Sequence, residues 1–220
     1  MSNKIYVIVP AYNEARYIGR FIDNLLLITK RILVVDDGST DRTAEEVTSR
    51  GVRCLTHLVN LGKGSAIKTG CEYAFKKMSA DSVIIMDGDD QHDPRDIKNF
   101  LKSLKRGNEI VLGVRSLDAN MPLARVLGNK AMSILINILF GHYLADIPSG
   151  FKAFTKKAYK KIFWHSSGYE VETEIAVRIA KQDLAYQEIP INTVYHGKDY
   201  GFNLLDAWRI LIRIPYWLWR

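Results

Sequence analysis

Four aspartates lie close together in the sequence MDGDDQHDP at positions 86–94. They follow an apolar run at 82–86 that is typical of a buried strand. Residues two apart in an extended segment point to the same side, so Asp87 and Asp89 can face one hard cation such as Mg²⁺ or Mn²⁺. Gly88 between them permits a ligand to approach the backbone closely. A lone D-x-D pair is also common in solvated turns, so the surrounding sequence has to decide between the two.

The other two aspartates have separate explanations. Asp93 precedes Pro94 and lies three residues before Asp96, which predicts a helix N-cap with a capping-box arrangement. Asp90 alternates to the opposite side of the segment, so we expect it to face water. Only Asp87 and Asp89 therefore need a cation.

The first half of the chain alternates between two kinds of segment. Strands are predicted at 5–9, 32–35, 52–56, 83–86 and 109–114, and helices at 15–29, 41–50, 65–78 and 95–106. This alternation predicts an α/β fold, a mostly parallel sheet with helices on both faces. Further helices are predicted at 121–147, 167–180 and 204–220. Ligands of such sheets bind beyond the carboxyl ends of the strands, where polar or glycine-bearing loops follow the first four strands here.

Two of these loops suggest a nucleotide. Asp36 and Asp37 end the second strand, where an acidic residue suits a ribose hydroxyl or a base amide. A capped turn is the alternative for Asp37, because Ser39, Thr40 and Asp41 are all good N-caps. The sequence NLGKGS at 60–65 resembles a phosphate loop but lacks the Walker A spacing, and no GxGxxG follows the first strand. Both absences weigh against a P-loop ATPase and a nicotinamide dehydrogenase.

Composition sets broad limits. A chain of 220 residues suits one domain, and its net charge of +7 suggests an anionic partner, although solubility alone is an equal explanation. The two cysteines fit no disulfide or zinc pattern. No signal peptide is visible, and the densest apolar run, at 131–140, is about half the ~20 residues of a membrane-spanning helix. We therefore expect a protein that is not integral to the membrane.

The ordered motifs resemble a known family. PAYNE at 10–14, VDDGSTD at 35–41, NLGKGSA at 60–66 and DGD at 87–89 together resemble the inverting family-2 nucleotide-sugar glycosyltransferases. DIPSGFK at 146–152 and GYEVETE at 168–174 look like the polyprenyl-phosphate branch, the dolichyl-phosphate mannose and glucose synthases. The resemblance implies a GT-A-type domain at 1–200, with a nucleotide-sugar half at 1–115 and an acceptor half at 116–200, followed by an amphipathic tail at 201–220.

The resemblance also implies roles for individual residues. Those implied to bind the nucleotide sugar are Pro10, Tyr12, Glu14, Val35, Asp37, Lys63, Gly64, Asp87, Gly88 and Asp89. The implied ligands of a divalent metal, Mg²⁺ or Mn²⁺, are Asp87, Asp89 and Gln91. The implied catalytic residues are Asp89 and Arg115, and the implied acceptor-binding residues are Arg115, Ser149, Lys152, Glu172 and Lys198. The loop at 195–203 departs from the family, which places an arginine and a lysine there, so Lys198 and His196 are candidate replacements.

Three candidate functions are compatible with the sequence and with this resemblance. The first is transfer of a hexose or N-acetylhexosamine from a UDP- or GDP-linked donor to a polyprenyl (dolichyl) phosphate, with inversion. A lipid phosphate is already an anion and needs no general base. The second is transfer to a glycan hydroxyl, for which Asp146 or Glu172 is the available base. The third is a nucleotide-sugar-binding subunit without turnover.

The carboxyl-terminal sequence predicts contact with a membrane surface. Arg209, Arg213 and Arg220 fall on roughly one helix face, with Trp208, Trp217 and Trp219 in the same stretch. This pattern is typical of an interfacial helix, although a helix packed on the core shares it. We expect a peripheral protein on the cytoplasmic face of an anionic membrane, with no nucleic-acid partner.

Overall fold

A computed structural model describes residues 4–115 and 123–193, together with Arg213 and Tyr216. Its centre is a seven-stranded sheet in the order β3-β2-β1-β4-β6-β5-β7. The strands are β1 (Ile5–Ala11), β2 (Ile32–Asp36), β3 (Arg53–Thr56), β4 (Ser82–Ile85), β5 (Ile110–Arg115), β6 (Lys152–Thr155) and β7 (Gln187–Ile191).

The sheet is mostly parallel, and its one reversed strand is β6. This strand pairs antiparallel with β4 on one side and with β5 on the other, while β5 and β7 are parallel. The chain runs outward from β1 to β2 and β3, then returns to place β4 on the other side of β1. The strand order thus reverses between β1 and β4, the point at which open α/β sheets bind ligands.

Helices cover both faces of the sheet. They are α1 (Ile18–Leu26), α2 (Thr43–Thr48), α3 (Lys63–Lys77), α4 (Ile97–Lys105), α5 (Leu123–Phe140), α6 (Lys156–Lys161) and α7 (Val171–Lys181). One core joins α1, α2 and α4 to the sheet through side chains such as Phe21, Val47 and Phe100. The second core joins α3, α5, α6 and α7 through side chains such as Cys71 and Ile175. Burying both faces explains why β1, β2 and β4 are almost continuously apolar.

The predicted fold class is confirmed: an α/β domain with a mostly parallel sheet and helices on both faces. The first four β-α pairs lie where the periodicity predicts them, with ends that differ by a few residues. The helix predicted at 121–147 ends earlier, at Phe140, because Gly141 adopts a φ of 73°. The sequence did not predict β6 or α6. Most of the tail at 201–220 lies outside the described residues.

Among the helices that the structure describes, none combines the length and the apolar composition required to cross a bilayer.

Candidate active site

The predicted site residues meet at the carboxyl edge of the sheet, around the β1/β4 switch point. Tyr12 and Glu14 follow β1, Asp37 follows β2, and Asp87 and Asp89 follow β4. Pro10 and Val35 lie opposite each other in the register of β1 and β2. The alternation of strands and helices therefore brings motifs that are far apart in sequence to one side of the domain.

An ion-paired lysine lies at the centre of this edge. Lys63 is the first residue of α3, and its Nζ lies 2.9 Å from each oxygen of Asp87 and 2.7 Å from Oε1 of Glu172. Burial by itself lowers the pKa of Lys63, but the charges of Asp87 and Glu172 outweigh it and the pKa is raised. Burial likewise raises the pKa of Asp87, but Lys63 outweighs that effect and holds the pKa well below its usual range. Lys63 and Asp87 are therefore both charged at neutral pH.

One lysine does not balance the negative charge of the site. Burial, followed by the charge of Asp87, raises the pKa of Asp89. Burial, followed by the charges of Asp89 and Asp87, raises the pKa of Glu14 to about 8. At Asp89, burial and the charge of Asp87 outweigh the opposing charge of Lys63. A bound cation would lower the pKa values of both carboxyls.

Oxygen atoms suited to a divalent metal are present at this edge. Within the described residues, Oε2 of Glu14 and Oδ1 of Asp87 are buried and accept no hydrogen bond, although Oδ1 of Asp87 lies in the ion pair with Lys63 Nζ at 2.9 Å. Oδ1 of Asp89 accepts a bond of 3.0 Å from the backbone N–H of Gln91. No group of three or more His, Cys, Asp or Glu side chains in that part of the chain is arranged to hold a metal by itself. The oxygens fit Mg²⁺ or Mn²⁺ only if other ligands, such as diphosphate oxygens, complete the coordination.

The structure tests the separate explanations that the sequence offered for Asp93 and Asp90. Asp93 caps a 3-10 turn at Pro94–Asp96 through its side chain, as predicted, by accepting 2.9 Å from Arg95 N–H. The capping-box prediction for Asp96 is wrong, because its carboxylate instead accepts a 2.7 Å bond from the backbone N–H of Asn192. The prediction that Asp90 faces water is also wrong. Its side chain is only 11% exposed and pairs with Arg20, because a φ of 59° turns the segment out of the extended conformation.

The Gly88 position has a structural explanation in the core. A methyl group there would lie 2.8 Å from Cδ1 of Ile18 and 3.2 Å from Cγ1 of Val9. The close approach that requires glycine is therefore made by core side chains rather than by the open face of the site.

The Asp37 carboxylate is buried and accepts hydrogen bonds from the protein itself. It is 2% exposed and accepts bonds from Leu61 N–H at 3.0 Å, Gly62 N–H at 2.7 Å and Nδ1 of His57 at 2.7 Å. It caps no helix, since α2 begins later, at Thr43. Asp37 therefore fixes the 57–62 loop, which leads directly into Lys63.

A second ion pair joins the end of β5 to the loop between α5 and β6. Arg115, at the end of β5, donates from Nε and Nη2 to both oxygens of Asp146, at 2.8 and 2.7 Å. The backbone N–H of Arg115 and Nδ2 of Asn129 also donate to Asp146, each at 2.9 Å. Asp146 thus accepts four hydrogen bonds, and it orients the Arg115 guanidinium.

A family model matches most of the domain that contains this site. Residues 6–163 match the Glycosyl transferase family 2 model. The chain belongs to Glycosyl transferase family 2. It is a hexosyltransferase, and the predicted family is confirmed.

Two curated relatives carry names from the polyprenyl-phosphate branch. The UDP-N-acetylglucosamine–dolichyl-phosphate N-acetylglucosaminyltransferase of Methanococcus voltae is 32% identical over 242 residues, covering 97% of this glycosyltransferase and 96% of the relative. The dolichol-phosphate mannosyltransferase of Pyrococcus furiosus is 32% identical over 190 residues, covering 80% of this chain and 53% of the relative.

Solved structures share the fold. The glucosyl-3-phosphoglycerate synthase of Mycobacterium tuberculosis, crystallised with Mn²⁺, UDP and phosphoglyceric acid, superposes with a TM-score of 0.76 at 20% identity. The match covers 99% of this chain and 78% of that one. It confirms the GT-A-type fold.

Residues 123–193 of the glycosyltransferase contribute a second buried lysine. Lys152, on β6, donates to the backbone oxygens of Ile147, at 3.5 Å, and Ser149. Burial lowers the pKa of Lys152 to about 8. Oγ of Ser149 is buried, and no hydrogen-bond partner for it lies within the described residues. Of the predicted acceptor residues, Glu172 pairs directly with Lys63, and Lys152 is near enough to both for their charges to act on its pKa.

The structure reveals two contributors that the sequence reasoning missed. His92 is buried, with Nε2 3.8 Å from Oδ2 of Asp87 and its ring edge against Phe151. Gly150 lies so close to Asp87 that a methyl group there would overlap the carboxylate. Asp87 is therefore enclosed by Lys63, His92 and the backbone of Gly150. The SGF sequence at 149–151 carried the signal for the glycine, whereas His92 had no recognisable pattern.

Two predicted carboxyl-terminal features remain. Lys198 and His196 lie outside the described residues. Arg213, predicted to belong to a basic interfacial face, pairs with Glu170 of the domain, Nη1 to Oε1 at 2.7 Å. At Arg213, the contact is therefore with the protein, as in the alternative of a helix packed on the core.

Proposed function

We propose that this glycosyltransferase moves a hexose or N-acetylhexosamine from a UDP- or GDP-linked donor to a polyprenyl phosphate, with inversion and with a divalent metal. The observation that carries the proposal is the state of the two carboxylates, Asp146 and Glu172, that the sequence offered as a general base near the acceptor. Asp146 accepts bonds from Arg115 and Asn129, and Glu172 pairs with Lys63. Neither is free to take a proton from a hydroxyl, whereas an acceptor phosphate needs no such base.

The donor would lie along the edge formed by β1, β2 and β4. Tyr12 is 43% exposed beside the switch point and offers a ring to the nucleoside. Pro10, Glu14 and Val35 border the same position. Asp37 would act by fixing the 57–62 loop, with Lys63 and Gly64 beside the donor. The name of the Methanococcus relative, which matches over nearly its whole length, supports UDP-N-acetylglucosamine as the first donor to test.

Asp87, Asp89 and Gln91 would hold the metal, with diphosphate oxygens as further ligands. When bound, such an ion supplies positive charge that stabilises the departing nucleotide diphosphate. Charged residues of the protein support the metal site. Lys63 holds Asp87 ionised and oriented, and Gly88 and Asp89 continue the same segment toward the donor.

The acceptor phosphate would lie on the opposite side of the transferred sugar. Arg115, Lys152, Ser149 and Lys198 are the donors available to its oxygens, and Glu172 would keep Lys63 in place. Alignment of an existing anion with the anomeric carbon is then the main task of these residues. Direct displacement inverts the anomeric carbon, so an α-linked donor gives a β-linked product.

The lipid acceptor implies binding at a membrane surface, which we propose to be the anionic cytoplasmic face. The net charge of +7 and the exposed Leu127, Ile134 and Ile138 of α5 support it. Co-sedimentation with phosphatidylserine vesicles, weakened by salt, is the expected result. Equal sedimentation with neutral and anionic vesicles would contradict the electrostatic part of the proposal.

Nucleotide release, measured with and without polyprenyl phosphate, separates the three candidate functions. A polyprenyl-phosphate transferase releases UDP or GDP much faster when the lipid phosphate is present, and Asp89→Ala abolishes the increase. A transferase to hydroxyl acceptors responds to a glycan instead. Nucleotide binding without release under either condition would indicate a binding subunit and overturn the proposal.

A further inference from the structure

A short segment of the acceptor half packs against the turn that begins α3. This segment, residues 164–170, accepts a 3.1 Å bond at the backbone oxygen of Ser167 from Ser65 N–H, which also donates to the backbone oxygen of Gly62 at 2.9 Å. Nε1 of Trp164 donates to the backbone oxygen of Gly64 at 3.0 Å. A methyl group at Gly62 would lie 2.5 Å from the Ser167 oxygen. The two stretches are therefore in direct backbone contact.

That contact determines where Lys63 lies. Lys63 is between Gly62 and Gly64, so the 164–170 segment holds the backbone on both sides of it. Glu172, which pairs with Lys63 at 2.7 Å, follows the segment on α7. A shift of the segment would therefore move both the lysine and one of its two carboxylate partners away from Asp87.

Arg213 ties the carboxyl-terminal region to the same segment. Its Nη1 lies 2.7 Å from Oε1 of Glu170 and donates to Oγ of Ser166 at 3.3 Å. The Glu170 side chain is 7% exposed, against 44% for Arg213. Loss of the guanidinium would leave a largely buried carboxylate without this cation, which is costly. Ser166 in turn donates to Glu174 at 2.6 Å, so the segment is also anchored to α7.

We propose that Arg213 is a positioning residue for the donor site. Its guanidinium holds the 164–170 segment against the start of α3 and so keeps Lys63 between Asp87 and Glu172. Donor affinity then depends on a residue of the carboxyl-terminal region that does not touch the donor. The proposal rests on the proposed function for its link to the donor, but the packing that it invokes can be tested without any ligand.

The ligand-free test is hydrogen exchange at the indole N–H of Trp164, whose bond to the backbone oxygen of Gly64 crosses the contact between the segment and α3. Arg213→Ala is expected to raise its exchange rate about tenfold, because a charged hydrogen bond that stabilises the segment is lost. Arg213→Lys should restore most of the protection. The control, Arg106→Ala, removes an exposed arginine at the end of α4, on the opposite face, and should leave the rate unchanged. Equal protection in wild type and Arg213→Ala would overturn the proposal.

The second test measures affinity for UDP, with GDP in parallel, by calorimetry in the presence of Mn²⁺. Arg213→Ala and Arg213→Glu should each raise the Kd about tenfold. Combining Arg213→Glu with Glu170→Arg should bring the Kd back to within about threefold of wild type, because the pair is re-formed with its charges exchanged. A combined variant no tighter than Arg213→Glu, or an unchanged Kd in Arg213→Ala, would refute the role.

The two failures are distinguishable. If the wild type binds neither nucleotide, the proposed function fails, while the exchange rate of the Trp164 indole N–H still decides whether Arg213 positions the segment. If Arg213→Ala does not fold, the lysine variant and the charge exchange give the same comparison in folded proteins.

Discussion

Replacing Lys63 with methionine would leave Asp87 and Glu172 buried without their shared cation. The Nζ–oxygen distances of 2.9 and 2.7 Å are those of close ion pairs, and Lys63 is 14% exposed. Removing one partner of a buried pair typically costs about 3–5 kcal/mol of unfolding free energy, because the remaining charge stays desolvated. We expect a loss in this range for Lys63→Met at pH 8 without metal.

The pH dependence of that loss has a definite sign. In the wild type, the pKa of Asp87 is lower in the folded protein than in the unfolded chain. Ionised Asp87 therefore stabilises the fold at every pH above the unfolded pKa, and this stability is lost only in strong acid. The raised pKa of Lys63 stabilises the fold until the pH exceeds its unfolded value, near 10.5. Both contributions are constant between about pH 5 and pH 8. In the variant, the unpaired carboxylates bind protons more readily as the pH falls, so the loss should shrink toward pH 5.

Urea unfolding at pH 8 and pH 5, in EDTA, measures this difference. Lys77→Met is the matched control, since Lys77 is an exposed lysine at the other end of α3. It should change stability by less than about 0.5 kcal/mol at either pH. A loss below about 1 kcal/mol for Lys63→Met at pH 8, or an equal loss at both pH values, would refute the assignment of Lys63 as the cation that stabilises the site.

Three further predictions concern the same edge. The pKa of Glu14 is raised from 4.5 to about 8, so the metal-free wild type should lose stability as the pH rises through this interval. Glu14→Gln should remove this pH dependence. By pH 9, the unfolding free energy of the variant, measured by urea titration, should exceed that of the wild type by about 1 kcal/mol. Gly150→Ala, whose methyl group would overlap the first aspartate of the D-x-D motif, should lower kcat/KM at least about 100-fold, whereas Gly128→Ala, with open space around it, should not. Asp146→Asn and Arg115→Lys should each lower kcat/KM, and a double-mutant cycle should show strong coupling because Asp146 orients Arg115. The pH–rate profile of Asp146→Asn should keep its acidic limb, whereas additive losses, or loss of the acidic limb, would indicate a general base instead.

The sequence predicted that the candidate site residues meet at one edge of the sheet, because that placement follows from local patterns. Alternating strands and helices imply a parallel sheet, and the carboxyl edge of such a sheet gathers the loops that carry Glu14, Asp37 and Asp87. The prediction for Asp90 failed for an equally local reason. Alternation of side chains holds only in extended backbone, and the positive φ at Asp90 breaks it.

The ion pairs of the site could not be read from the sequence in the same way. Lys63 meets Glu172 because β6 inserts antiparallel between β4 and β5, which brings α7 beside α3. Nothing in the local pattern of 152–155 distinguishes a reversed strand from a parallel one. The Arg213–Glu170 contact likewise joins elements whose packing depends on the whole fold, so a helical pattern alone left its orientation open.

The central claim is that this site attaches a sugar to a lipid phosphate, and the lipid product tests it most directly. The protein would be incubated with Mn²⁺, one polyprenyl phosphate, and UDP-N-acetylglucosamine, UDP-glucose or GDP-mannose in turn, and the lipid fraction analysed by mass spectrometry. The account predicts that one donor adds a single hexose or N-acetylhexosamine to the lipid phosphate, and that Asp89→Ala abolishes the product. An unmodified lipid with every donor, alongside transfer of sugar to a hydroxyl acceptor, would contradict it.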